Sequence, residues 1–496
     1  MIDILASKYK ASHLLFCLLI CLLAFGGNAW YPIFNADDII QTQSVSGDSM
    51  TFMGQGRWGY YLVFHFLQGE NPSGPFGLFL GLSCIFASGL IASEAIGLNG
   101  RYTPLLFSMV SSVSIYYGHL LIFDSVWIAY PIGILLAASS AFLFVRNKRY
   151  VLCGILLATS PAFYQPAIQV YVAILIAHSI INIPVKGFAI TFRQLLIGFF
   201  ILVISLFSYI ISTKLASYFS GIPLWDRSKV DIIAAIISFH RIIDLVFNHA
   251  LPFRAGINDY YFPWAFRFIV SFAFISSSLS FLLVCLRSKA NAVSIVFGFF
   301  LFFLLSVSPF LLAIASPLDQ FGPRSLITFS IVHAFYICSA VHWLNTGDLG
   351  SSAGIQERAC GILFMSGGAI VLISALQSSK LAYDNVMAWQ QDRMTINRMI
   401  SRIDDIIQDT PLASQPALKI AVRFDQPIDA GPRGQVLSAR YSPWSQEWIF
   451  RLLDNRFVRA DDSERAQLIN RSLTKPHWPA RGSIYIDGDI IMVVVN

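Results

Sequence analysis

Residues 102–149 read YTPLLFSMVSSVSIYYGHLLIFDSVWIAYPIGILLAASSAFLFVRNKR, and the fold class follows from how little charge that stretch holds before its end. Between Tyr102 and Val145 the one acid is Asp124. The apolar runs on either side of it, near 103 to 122 and 125 to 145, have the roughly 20-residue length that a helix needs to cross a bilayer. A carboxylate costs too much to face lipid. Asp124 therefore either marks the hairpin between two spans, capping the second, or lines a water-filled cavity. The stretch closes on Arg146, Asn147, Lys148 and Arg149, a basic flank of the kind that stays on the cytoplasmic side.

The rest of the chain repeats this pattern. Hydrophobic residues make up 56% of the 496 and charged residues only 12%, about half the charged share of a soluble protein, which excludes an ordinary cytosolic enzyme. Apolar runs near 12–31, 75–96, 103–122, 125–145, 150–164, 166–183, 193–212, 264–286, 291–314, 325–344 and 359–376 predict an all-α polytopic membrane protein of about eleven transmembrane helices. The first run follows Lys8 and Lys10 without a small-residue cleavage site, so it reads as a span and not a signal peptide.

With a cytoplasmic N-terminus, alternate connections carry Lys8, Lys10, Arg101, the 146–149 cluster, Lys186, Arg193, Arg287, Lys289 and Arg358, as the positive-inside rule requires. The net charge of +6 is then an orientation signal and implies no nucleic-acid partner. The opposite face receives a first periplasmic loop, 32–74, and a long one, 213–263. The second is unusually basic, with Lys214, Arg227, Lys229, Arg241 and Arg254, and its composition predicts interfacial amphipathic helices.

A transmembrane domain over 1–376 is thus followed by a small α+β periplasmic domain over 377–496. Apolar positions in 386–407 have helical spacing, and 482–495 alternates as a hairpin around Asp487-Gly488-Asp489 does. Seven scattered cysteines indicate neither a disulfide framework nor a zinc site. No internal repeat is visible, which counts against an inverted-repeat transporter.

Residues that carry chemistry collect on the expected periplasmic face. Asp37 and Asp38 stand side by side just after the first span. Adjacent carboxylates raise each other's pKa, which suits general-base or metal work, while a solvated helix cap is the structural alternative. Arg57 and Trp58 follow in Gly54-Gln55-Gly56-Arg57-Trp58-Gly59. Tyr164 and Gln165 lie where Pro161 and Pro166 break an apolar run; a plain helical hairpin is the alternative. Arg324 opens the tenth span, where a cation opposes the helix dipole but grips an anion well together with free backbone amides; pairing with Asp319 is the alternative.

In this order the motifs resemble the serotype-converting O-antigen glucosyltransferases of Gram-negative bacteria, the glucosyl transferase type II family. The correspondence rests on Asp37 and Asp38, Gly56-Arg57-Trp58, Phe123-Asp124, Tyr164-Gln165 and Pro323-Arg324, and covers about Asn28 to Asn345. The resemblance implies a GT-C-like fold in the bacterial inner membrane, with a polyprenyl-phosphate sugar, usually glucose, as donor and lipid-linked O-antigen as acceptor. It implies an inverting reaction with Asp37 or Asp38 as base. Arg324 and Arg57 would steady the departing phosphate, with Asp124 and Gln165 on sugar hydroxyls. No cofactor is expected, and a divalent metal is not required because an arginine pair neutralises a phosphate monoester. Two other readings stay open: a flippase or transporter of lipid-linked sugars, and an O-antigen polymerase or ligase using Arg241, His249 and Arg254 of the long loop.

Overall fold

The computed structural model describes residues 9–30, 52–69, 73–100, 102–225, 262–312, 323–346, 353–424 and 446–495. Among the described residues the longer helices of the apolar part are α1 Ala11–Phe25, α2 Gly74–Ile96, α3 Thr103–Ser112, α4 Ile115–Leu121, α5 Ala129–Phe142, α6 Tyr150–Phe163, α7 Ala167–Ser220, α8 Trp264–Arg287, α9 Ala292–Val307, α10 Phe329–Thr346 and α11 Ala353–Ile407. Among the described residues, six helices are long and apolar enough to cross a membrane, or seven when the bent pair α3 and α4 is taken as one span. The chain is a helical membrane protein with a small C-terminal sheet. The expectation of eleven spans is not reached by length and apolarity alone: α1 and α6 are only 15 and 14 residues long, α7 holds two expected runs in one helix, and α10 is not among the six.

Two of the expected boundaries have a different physical form. The spans expected at 166–183 and 193–212 are joined without a loop. Helix α7 runs on through Pro184 and breaks at one residue, Gly187, with φ 75° and ψ 174°. Only glycine takes that conformation cheaply. The two halves then lie against each other: the Tyr171 hydroxyl donates to the Gly198 carbonyl at 3.2 Å, and a Cβ on Gly198 would meet Leu175 at 2.5 Å. The span expected over 103–122 is bent by 45° between α3 and α4, where Ser114 is extended (φ −82°, ψ 140°).

The boundary expected at 376–377 is crossed by a continuous helix. Helix α11 continues to Ile407, and its apolar residues Ile396, Met399, Ile403 and Ile407 enter the core of the C-terminal unit with Leu418, Ile420, Phe450 and Val493. That unit contains β1 Leu418–Phe424, α12 Gln446–Leu453, β2 Phe457–Arg459, α13 Asp462–Arg471, β3 Ile484–Asp487 and β4 Ile490–Val495. The sheet order is β2-β1-β4-β3, with β1 parallel to both neighbours and β3 antiparallel to β4. The hairpin expected around Asp487-Gly488-Asp489 forms. Asp487 pairs with Ile490, and Gly488, at φ 66°, takes the first position of the two-residue turn.

Strand β4 is buried along its whole length. Ile491, Val493 and Val495 share a core with α11, while Ile490, Met492 and Val494 pack on Leu468 of α13. The sheet is therefore covered on both faces, one cover being the continuation of a membrane helix. Arg456 ties the same elements together at the surface, donating to Asp454 at 2.6 Å and to Asp404 of α11 at 3.0 Å.

Replacing Ile403 by Ala is expected to cost about 2–5 kcal/mol, the range for a buried aliphatic truncation, and to open the C-terminal unit to protease while leaving the helices 1–376 protected; limited proteolysis of the full chain in detergent reads this directly. Arg456 also holds the Asp454 carboxyl below its ordinary value of 3.8. A carboxylate depressed in the folded state contributes stability above its unfolded pKa and loses it as the pH falls through the folded pKa. Asp454→Asn is thus expected to lower the unfolding midpoint of the C-terminal unit at neutral pH and to flatten its fall under acid, followed by near-ultraviolet circular dichroism.

Candidate active site

The site is built where α5 and α6 approach closely. Gly133 makes this possible, since a Cβ there would lie 3.1 Å from the Ser160 carbonyl and 3.2 Å from Cβ of Tyr164. Small residues are what allow membrane helices to touch at backbone distance. The Ser160 hydroxyl closes the contact by donating to the Gly133 carbonyl at 2.8 Å. Just beyond, α6 ends at Tyr164, which is extended (φ −154°, ψ 104°) ahead of Gln165 and Pro166. The result is a parallel stack of Tyr164 on Tyr130, with ring centroids 4.2 Å apart and planes 18° apart.

Two arginines flank this stack. Arg57 donates through one terminal nitrogen to the Tyr130 hydroxyl and through Nε to Oε1 of Gln165 at 3.2 Å. On the other side, the Tyr164 hydroxyl donates to the backbone carbonyl of Arg324, whose guanidinium lies over the Phe123 ring at 4.6 Å. Arg57 forms no ion pair among the described residues, and both hydrogen-bond partners are neutral. Among the described residues no acid faces its part-buried charge, an arrangement suited to holding an anion.

The segment carrying Arg57 is pinned to the far end of α7. Gly56, at φ 78°, offers its carbonyl to the Tyr209 hydroxyl at 3.0 Å, and a Cβ on it would stand 3.0 Å from that hydroxyl and 3.1 Å from Thr213. Gln165 completes the frame, its Nε2 donating to the Gln55 carbonyl at 2.8 Å and lying 3.2 Å from the Tyr209 hydroxyl. Trp58 turns toward α7 as well, with its indole N–H on the Ser212 hydroxyl at 3.2 Å. In this structure Trp58 anchors the loop.

Asp124 opens the short helical turn Asp124–Val126 and is half-buried. The turn is set by three donors. The Trp127 indole and the Asn28 amide both donate to the Leu121 carbonyl, at 2.8 and 3.2 Å, and the Tyr60 hydroxyl donates to the Ser125 carbonyl at 2.8 Å. Leu121 ends α4, so these bonds occupy a carbonyl that the helix itself leaves open. Gly81 of α2 accommodates the turn, since a Cβ there would fall 2.0 Å from the Trp127 carbonyl oxygen.

Of the residues singled out from sequence, Arg57, Tyr164, Gln165 and Arg324 are brought into one connected arrangement, and Asp124 adjoins it through Phe123. Asp37 and Asp38 lie outside the described residues, as does most of the loop 213–263. Tyr130 and Tyr209 are central to the frame and were not legible in the sequence, because a tyrosine inside an apolar run looks the same whether it faces lipid or an arginine. Among the described residues no group of three or more His, Cys, Asp or Glu side chains could hold a metal ion.

A family model, Glucosyl transferase GtrII, matches residues 30–335, which is well over half of the chain. The chain belongs to this glucosyl transferase family. It is accordingly a glycosyltransferase, with sugar donor and acceptor as its substrates. The match spans Arg57, Asp124, Tyr164, Gln165 and Arg324 and ends before α11, so the C-terminal unit lies outside it. No curated protein and no solved structure matches the chain.

Because Gly56 needs both its positive φ and its missing Cβ, Gly56→Ala is expected to lose about 1–2 kcal/mol from backbone strain alone and to displace Arg57. The variant should show a lowered midpoint in detergent-solubilised thermal unfolding, whereas Gly368→Ala, in open space on α11, should show none.

Proposed function

We propose that the chain transfers glucose from a polyprenyl-phosphate donor to lipid-linked O-antigen on the periplasmic face of the bacterial inner membrane. The observation that carries this reading is the part-buried guanidinium of Arg57, held by the neutral groups of Tyr130 and Gln165 beside the segment of Arg324. Such a pair suits a leaving group that becomes a phosphate monoester dianion. The orientation is supported by the basic flanks: Arg146, Lys148, Lys186 and Arg287 all stand at the helix ends away from Arg57.

In the proposed reaction Asp37 or Asp38 takes the proton of the acceptor hydroxyl as its oxygen attacks the anomeric carbon. The bond from that carbon to the phosphate oxygen breaks, and its electron pair leaves on the lipid phosphate, toward Arg57 and Arg324. A single displacement inverts the anomeric configuration. Asp124 and Gln165 hold sugar hydroxyls, and the reaction proceeds without a metal. The prenyl chain of the donor stays in the bilayer, which accounts for a site framed by helix ends at membrane depth. Eleven spans and a cytoplasmic N-terminus put the C-terminal unit in the periplasm with the site.

The test is sugar transfer in membranes from synthetic polyprenyl-phosphate glucose to O-antigen acceptor, at matched expression. One of Asp37→Asn and Asp38→Asn is expected to abolish transfer. Arg57→Lys and Arg324→Ala are each expected to slow it by about 10²–10³, the cost of removing one preorganised donor from developing charge; lysine does not replace a guanidinium whose geometry is used on two sides. Undiminished transfer in all four variants would remove this site. Transport of the lipid-linked sugar without transfer by the wild type would turn the assignment to a flippase.

A further inference from the structure

Helices α5 and α10 and the first half of α7, up to its break at Gly187, each run from the site to a second polar feature. From Tyr130 to Arg146, from Gln165 to Lys186 and from Arg324 to His342 the rise is roughly 25–30 Å at 1.5 Å per residue, about the hydrocarbon thickness of a bilayer. At that far end a cavity of about 280 Å³ is lined by Asn99, Arg146, His178, Asn182, Lys186 and His342 among others. It belongs to none of the groups assigned above.

The lining is built, not incidental. The His342 Nδ1 accepts the backbone N–H of Asn99 at 3.0 Å, which in the neutral ring leaves the proton on Nε2. His178 lies with Nδ1 3.2 Å from the Ile96 carbonyl and Nε2 3.2 Å from the Asn182 amide, a pattern that joins α2 to α7. Arg146 is fixed by donating from Nε to the Glu94 carbonyl at 2.8 Å. Gly97, at φ 94°, ends α2 in a left-handed turn beside it. Neither Arg146 nor Lys186 has an ion-pair partner among the described residues. Two cations therefore converge on one small cavity with donors, and no carboxylate lines it among the described residues.

The rim indicates where the occupant comes from. Val185 lines the same cavity and is 84% exposed, an aliphatic group at the mouth of a cationic pocket and at the end of a membrane helix. The cavity is at the lower edge of ligand-pocket size, with room for a phosphate group and little more. Basic residues at this membrane face are expected from orientation alone, but orientation calls for no cavity, and the neighbouring Lys148 and Arg149 do not line it.

We infer that this cavity binds the phosphate of an anionic lipid lying in the leaflet opposite the candidate active site. A monoester, with up to two negative charges, matches the Arg146 and Lys186 pair better than a diester.

The full chain in detergent micelles, titrated with dioleoyl phosphatidate (monoester), dioleoyl phosphatidylglycerol (diester), dioleoyl phosphatidylcholine (zwitterionic) or inorganic phosphate, with thermal unfolding and native mass spectrometry as readouts, tests this without reference to transfer. Phosphatidate is expected to bind tightest and phosphatidylcholine weakest. Arg146→Gln and Lys186→Gln should each weaken phosphatidate by about tenfold or more, as loss of a charge-assisted hydrogen bond implies, while Lys148→Gln leaves it nearly unchanged. Lys186 is exposed, so its variant keeps the test open if Arg146→Gln fails to fold. An equal loss in Lys148→Gln would mean a diffuse basic surface and overturn the pocket. Inorganic phosphate binding as tightly as phosphatidate would overturn the lipid as its source, and no preference over phosphatidylcholine would overturn the site altogether.

Discussion

A hydrogen-bonding or charged group at membrane depth has no water to turn to, so each must find a partner in the protein or face a cavity. The helix ends of this chain are arranged by that constraint. At one end the open carbonyl of Leu121 receives the Trp127 indole and Asn28, the Ser125 carbonyl receives Tyr60, and the Gly56 carbonyl receives Tyr209. Each bond is local housekeeping for a broken helix. Together with the Gln165 amide on the Gln55 carbonyl, they fix three chain breaks, near 55, 124 and 164, against one another. Arg57 sits at the first of these breaks, and Arg324 on the short turn Pro323–Leu326 that receives the Tyr164 hydroxyl.

Glycine has a second role beside the positive φ values at Gly56 and Gly187. Gly81, Gly133 and Gly198 lie where another element comes within contact of the position a Cβ would occupy. In lipid the hydrophobic effect does not drive helices together, and close van der Waals approach does much of that work. The approach at Gly133 allows Tyr164 to stack on Tyr130, and that stack couples the environments of Arg57 and Arg324. A packing device in the middle of the bundle thereby sets the spacing of the groups at its surface.

The C-terminal unit follows the same economy. Helix α11 leaves the apolar part and supplies Ile396, Met399, Ile403 and Ile407 to one face of the sheet, beside Ile449 and Phe450 of α12. A rigid helical entry fixes the unit to the last apolar helix in a way that a flexible linker does not.

The sequence by itself determined that this is a helical membrane protein and approximately where its helices run, and it singled out Arg57, Asp124, Tyr164, Gln165 and Arg324 as polar residues beside or within apolar runs. Apolar run length, basic flanks and polar residues in apolar surroundings are local properties, and the bilayer turns them into structure with few alternatives. The hairpin around Gly488 was legible for the same reason, since a two-residue turn is specified by its own residues. Only the tertiary structure decided that Arg57 is held by Tyr130 and Gln165, that Trp58 goes to Ser212, and that the 166–183 and 193–212 runs are joined through one glycine. It also decided that the last helix carries into the C-terminal sheet past the composition change at 376, where charge and proline had suggested a boundary. Those features depend on which face of each helix meets which neighbour, and in a helix apolar all round the sequence carries little record of that choice. The pocket of Arg146, Lys186, His178 and His342 has the same origin: its members come from three separate stretches of the chain that meet only in the folded bundle.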